Sequence, residues 1–182
     1  MPLLNSITTP YAEAFLQVAE SRNEVDEIVS QAKSLLELWN KSTDFSEAMS
    51  SPVLEVQSKK AAIEKLFASE VNPSFLNLLK LLADRQRIGF LDSVLERFLE
   101  LYREQRNIAL ATVTSATALN ESQQNELLKK VQGIAGTDNL ELNLEVDPNL
   151  IGGFVVKVGS KVIDASLSGQ VRRLGLALAK VG

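Results

Sequence analysis

The spacing of apolar residues changes near residue 107, and that change constrains the fold more than any other feature of the chain. Up to about residue 105, "YAEAFLQVAE", "EVDEIVSQAKSLLELW", "SKKAAIEKLFA", "PSFLNLLKLLAD" and "FLDSVLERFLELYREQ" repeat apolar residues every three or four positions, the period of amphipathic helices. "FSEAM" adds a short turn of the same kind. Five to six helices on short links predict an all-α bundle of antiparallel neighbours. Thr9 is expected to cap a helix opening at Pro10, and Asn72 a helix opening at Pro73. Glu24, Asp26 and Glu27 mark another helix start, where the dipole favours acids. Trp39 continues the stripe of Val25, Ile28, Val29, Ala32 and Leu36 and is expected in the core.

Beyond Asn107 the period becomes two. "NIALATVTS" is rich in Ala, Thr and Val, and "LELNLEV" alternates with Leu140, Leu142, Leu144 and Val146 on one side, so both read as strands. Between them Asn120 and Gln123 form a capping box, and Gly133 and Gly136 offer a stop. Gly159-Ser160 is a two-residue hairpin turn that sets Val158 opposite Lys161, Val156 opposite Ile163 and Phe154 opposite Ala165. Lys157–Val162 and Val155–Asp164 then fall on a mixed, solvated face, with Lys157 and Asp164 a diagonal pair. Ser168 is expected to cap a last helix with a Val171, Leu174 and Leu178 stripe. The whole is a two-domain chain: a helical bundle over 1–105, then a small α+β domain with a four-stranded sheet over 106–182. The boundary falls in "REQRN", at the end of a helix that serves as a stiff connector. Charge divides at the same place, with 11 basic and 16 acidic residues before it and 8 and 7 after it.

Several chemistries are excluded. The glycines of "LIGGFVVKVGSK" have neither the dinucleotide nor the P-loop spacing, so Gly152 and Gly153 are read as a bend or a close backbone approach. The chain has no Cys and no His, which removes disulfides, thiolate nucleophiles, the usual general base and the commonest metal ligands. No metal site and no cofactor are expected. A net charge of -4 argues against nucleic acid. The longest apolar runs are too short to span a bilayer, and "MPLLNSITTPYAEAF" lacks signal or transit features, so the chain is read as facing a cytosol-like compartment.

At the C-terminus, "GGFVVKVGSKVIDASLSGQVRRL" resembles the signature of the delta (OSCP) subunit family of F-type ATP synthases, with its Gly-containing hairpin, "ID" and Arg-Leu helix. "PYAEAF" at 10–15, "NLLKLLADRQRI" at 77–88 and "VTSATALN" at 113–120 are similar to further family segments in the same order. Thr9 departs from the pattern, since many members carry Arg before that Pro. The resemblance implies a non-catalytic stator, present in one copy per complex. Its helical domain would bind N-terminal segments of the alpha subunits of the catalytic head, and its second domain the b-type peripheral stalk. It also implies a peripheral protein on the cytoplasmic or stromal side of an energy-transducing membrane. "ELYREQRNIALATVTSA" is most similar to cyanobacterial and plastid members, which favours the thylakoid over the plasma membrane.

An apolar surplus gives this expectation an address. The first helix carries one stripe of Ala12, Phe15, Leu16 and Ala19 and a second of Tyr11, Ala14 and Val18, while Glu13, Gln17 and Glu20 form its polar line. The fifth has Phe75, Leu76, Leu78, Leu79, Leu81, Leu82 and Ala83, with Asn77 and Lys80 as its internal polar residues. Either both helices are central and surrounded, or they form a groove for a partner's amphipathic helix. The resemblance implies the groove, with Tyr11, Ala14, Val18, Leu78 and Leu81 as the residues that meet the alpha segments. Two other classes compete: a helical-bundle RNA-associated factor, and an enzyme using Asp84, Asp92, Glu96 and Glu100 as paired carboxylates. The acidic first half opposes the former. The i, i+4, i+8 spacing of the last three acids reads as a solvated line rather than a cleft.

Overall fold

The computed structural model describes residues 2–137 and 139–179, and the side chains of 6–133, 136–137 and 139–173. The chain divides into two compact units, Met1–Glu104 and Gln105–Gly182. The first holds helices α1 (Pro2–Ser21), α2 (Val25–Lys41), α3 (Thr43–Ser50), α4 (Val56–Phe67), α5 (Pro73–Asp84) and α6 (Leu91–Arg106), with a 3-10 turn at Ile88–Phe90. "FSEAM" is the heart of α3, and α6 runs two residues past the division.

The helices converge on one core. Phe15 of α1 lies between Phe75 of α5 and Phe98 of α6, with ring centroids 5.4 and 5.1 Å away, and all three are buried. Ile28, Ile63, Leu79, Leu82, Leu91 and Leu95 fill the space around them. Trp39 is buried in a T-shaped contact with Phe45, ring centroids 5.7 Å apart, a packing role as expected from its stripe. Of the two adjacent leucines, Leu35 is buried and Leu36 only packs against the core's margin.

Two helix starts differ in outcome. Asn72 caps α5 by accepting from Ser74 N–H at 2.8 Å, with Pro73 in the first turn. Pro10, by contrast, lies inside α1 rather than opening it, so Thr9 is not its cap. A proline there removes one helical hydrogen bond and costs up to about 3 kcal/mol. Thr8 in the preceding turn is buried, while Pro10 itself faces solvent. α6 ends in Asn107, whose φ of 51° is the left-handed closure that asparagine accepts more readily than most residues.

In the second unit, β1 (Ala109–Ser115), α7 (Glu121–Ala135), β2 (Leu140–Val146), β3 (Phe154–Val158), β4 (Lys161–Asp164) and α8 (Leu167–Ala179) follow in order. The sheet runs β2-β1-β3-β4, with β1 parallel to β2 and antiparallel to β3. The β3–β4 register pairs Val158 with Lys161, Val156 with Ile163, Lys157 with Val162 and Val155 with Asp164, as the hairpin reading required. Ala165 N–H donates to Phe154 at 3.0 Å and extends the pairing one step. The capping box at Asn120 and Gln123 is present in both directions. Gly136, at φ 70°, closes α7, whereas Gly133 lies within it.

Among the described residues the core of this unit is Ala111, Val113, Leu127, Val131 and Val156, which is α7 laid on one sheet face. Leu140 and Leu142 pack against it, but Leu144 and Val146 at the far end of β2 are exposed.

The last helix departs from expectation in three ways. Its cap is Ser166, whose Oγ accepts from Gly169 N–H at 3.0 Å, because Asp164 rather than Ser168 organises the turn. Asp164 is diagonal to Lys157 in the register, as expected, but its carboxylate is engaged at the turn. It accepts from Ser166 N–H at 2.9 Å and from the Ser166 hydroxyl, with Arg172 and Arg173 at 3.9 and 3.8 Å. Val171 is exposed, and the side chains of Leu174 and Leu178 lie outside the described residues. Close approach does explain Gly153: at φ 78° it brings its backbone so near Ala165 that a Cβ would run into the Ala165 carbonyl oxygen.

Candidate partner-binding groove

The surplus apolar surface of α1 and α5 is a groove. α1 buries Ala12, Phe15, Leu16 and Ala19 in the core and leaves Ala14 and Val18 in solvent, with Tyr11 half-buried. α5 buries Phe75, Leu79 and Leu82 and turns Leu81 outward. A hollow of about 200 Å³ results, lined by Tyr11, Ala14, Phe15, Val18, Arg22, Ser74, Asn77, Leu78 and Leu81. All five residues singled out from the sequence line it. Val18 and Leu81 are 41% and 43% exposed, a large apolar exposure for side chains with a core directly beneath them.

Its two ends are polar. At one, Arg22 Nη1 donates to Ser74 Oγ at 3.0 Å, and Ser74 donates in turn to Glu24 at 2.8 Å. Asn72 joins this end to α2 through Gln31, which accepts from its backbone N–H at 2.9 Å. At the other, Arg87 donates to the Tyr11 hydroxyl at 3.2 Å and lies 5.6 Å from the ring centroid. Sequence reasoning missed Phe15, Arg22, Ser74 and Asn77 as lining residues. Spacing was the available signal: Arg22 follows Val18 by one turn, and Ser74 and Asn77 precede Leu78 and Leu81 on the same face.

The carboxylates considered for catalysis do not converge on this groove. Asp84 binds Lys60 at 2.9 Å and Glu100 binds Arg97 at 2.9 Å. Burial, with the neighbouring Asp92 and Glu100 charges behind it, raises the Glu96 carboxyl above its ordinary value. Groups of acids able to hold a metal ion are absent among the described residues, and no described helix is long and apolar enough to cross a membrane.

Comparison with known proteins is consistent over the full length. Residues 7–178 match the family model described as ATP synthase delta (OSCP) subunit. The chain is 82% identical to an ATP synthase subunit delta of Prochlorococcus marinus over 181 residues, covering 100% of this chain and 99% of that protein. It is 62% identical to the subunit delta of Synechococcus sp. strain RCC307, covering 99% of each. A chain in a cryo-EM structure of the Toxoplasma gondii mitochondrial ATP synthase hexamer has the same fold, with a TM-score of 0.70, 21% identity, and 93% of this chain and 96% of that one covered. The period switch, the hairpin signature, the bundle with its open groove and the full-length matches agree: this chain belongs to the ATP synthase delta (OSCP) subunit family.

Proposed function

We propose that this chain holds the catalytic head of an F-type ATP synthase to its peripheral stalk, with the α1/α5 groove taking an N-terminal segment of an alpha subunit. As a delta-type subunit it is a structural, non-catalytic component of the stator. Coupling needs such a part: a head free to turn with the rotor would dissipate ion flux without making ATP. The observation that carries the assignment is the apolar hollow between Tyr11, Ala14, Val18, Leu78 and Leu81, a shape and chemistry suited to one face of an amphipathic helix. Residues 106–182 take the b-type stalk subunits in this reading, so that each partner has its own module. One copy per complex suffices, placed on the cytoplasmic side of the thylakoid or plasma membrane. Two linked contacts hold more tightly than either alone, because a released module stays near its site.

Ala14→Asp tests the groove. In the free protein residue 14 is in solvent, so the carboxylate stays hydrated and the bundle stays folded. Under an incoming apolar helix it loses water without a partner, at a cost of about 2 kcal/mol or more, which is about 30-fold in affinity. Calorimetry against an alpha N-terminal peptide is expected to show that loss, with unchanged circular dichroism. Equal affinity in both proteins sinks the assignment.

A further inference from the structure

The groove is apolar along its length and carries an arginine at each end, Arg22 on the Ser74 hydroxyl that also holds Glu24, and Arg87 on Tyr11. Residues up to 105 are acidic in balance, and Lys41, Lys60, Lys80 and Arg97 each have a carboxylate partner. Arg22 and Arg87, like Lys59, Lys65 and Arg85, have no ion pair within 4 Å among the described residues. Both are nonetheless held in place by neutral groups, Arg22 by Ser74 Oγ and Arg87 by the Tyr11 hydroxyl and ring. A guanidinium has five N–H donors in a fixed fork suited to carboxylate, and these anchors use few of them. Arg22, the first residue after α1, follows Tyr11 by eleven positions, about 16 Å at the helical rise.

We propose that the groove selects a partner helix whose three-turn apolar stripe is bracketed by carboxylates, one meeting Arg22 and one about eleven residues away meeting Arg87. This rests on the groove reading above and adds the charge pattern of the partner segment. Eleven residues are close to three full turns, so both acids and the apolar stripe between them share one face. Elsewhere an acidic segment would be repelled by the net charge of the unit. Acids at those two positions alone are drawn in, which turns an unselective apolar slot into a register-specific one.

Two synthetic peptides of about eighteen residues, identical except for Glu or Gln at the two bracketing positions, are titrated into the full chain by calorimetry. The Glu peptide is expected to bind about 3- to 10-fold more tightly at low salt, with the gap closing as salt rises. Arg22→Glu with Arg87→Glu, checked for folding by circular dichroism, is expected to abolish or reverse that preference while leaving the Gln peptide bound. Should the double variant fail to fold, the two peptides on the unaltered chain decide the matter alone. Equal affinities at low salt, for binding that Ala14→Asp still weakens, overturn the bracket and leave the groove standing. If neither peptide binds, the groove reading falls and the bracket with it.

Discussion

The two units solve the problem of stability in different ways. The helical unit buries a large connected set of side chains around Phe15, Phe75 and Phe98, and its helices meet through those side chains. The α+β unit has a core of five buried residues among those described, and its order comes from strand ladders and turns. Backbone conformation there is specified at single positions: Gly153 against Ala165, Gly159 at φ 55° in the hairpin, Ser166 under α8. A small core leaves little to spare, so each turn carries more of the total. The first unit is thus most sensitive to lost volume, the second to altered backbone or caps.

Phe98→Ala is the largest test of that contrast. Removing this fully buried ring from the three-ring cluster is expected to cost about 3–5 kcal/mol, read as a shift in the denaturant transition of Trp39 fluorescence. A loss below about 1 kcal/mol refutes the account of this unit as volume-limited. Gly153→Ala comes next. The added Cβ meets a backbone carbonyl and the residue keeps a positive φ, so a cost of about 2–3 kcal/mol is expected. It should appear as faster amide exchange in β3 and β4, while the Trp39 transition stays where it was. Movement of both together ends the idea of separate modules.

Asp164→Asn is expected to have a smaller effect with a pH signature. The Ser166 hydroxyl and backbone N–H, donating to Asp164, hold its carboxyl below the ordinary carboxylate value, with Arg173 and Arg172 assisting. A lowered folded pKa contributes stability above the ordinary carboxylate range, and that stability is lost as pH falls through the lowered value. The gap in melting temperature between the two proteins should therefore be full at neutral pH and close below about pH 4. A gap that does not vary with pH contradicts the role given to Asp164. Smallest of all, Gly159→Val has no steric neighbour to meet, so only the strain of a β-branched residue at positive φ remains, about 1 kcal/mol. An unshifted melting curve would remove the turn from the account.

Much of this was legible because the helical and strand periods differ so sharply on either side of residue 107. The hairpin register followed from one Gly-Ser pair, and the capping box from Asn120 and Gln123, since both are local devices. What could not be read were the places where tertiary contacts overrule local rules. Pro10 sits inside α1, with a turn that includes the buried Thr8 ahead of it, and nothing in the sequence weighs that packing against a lost hydrogen bond. Asp164 turned from a surface acid into the support of α8 because the chain folds back on it at Ser166. The groove's hydrophobic residues showed in the surplus stripe. Its arginines did not, because their meaning depends on which cations lack carboxylates in three dimensions.

One feature of the sheet acquires a mechanical meaning in a part that resists torque. The chain leaves α6 at Arg106 and, after two linking residues, enters β1, which is an inner strand of the sheet and not an edge. Tension passed along the covalent chain is therefore delivered lengthwise into a strand hydrogen-bonded on both flanks, to β2 over seven residue pairs and to β3 over five. Pulled in that direction, the ladders are loaded in shear, with many hydrogen bonds strained at once instead of one after another. An edge strand entered in the same way would share the load over one ladder instead of two. The strand order β2-β1-β3-β4 thus spreads the load at this end of the tether over two ladders.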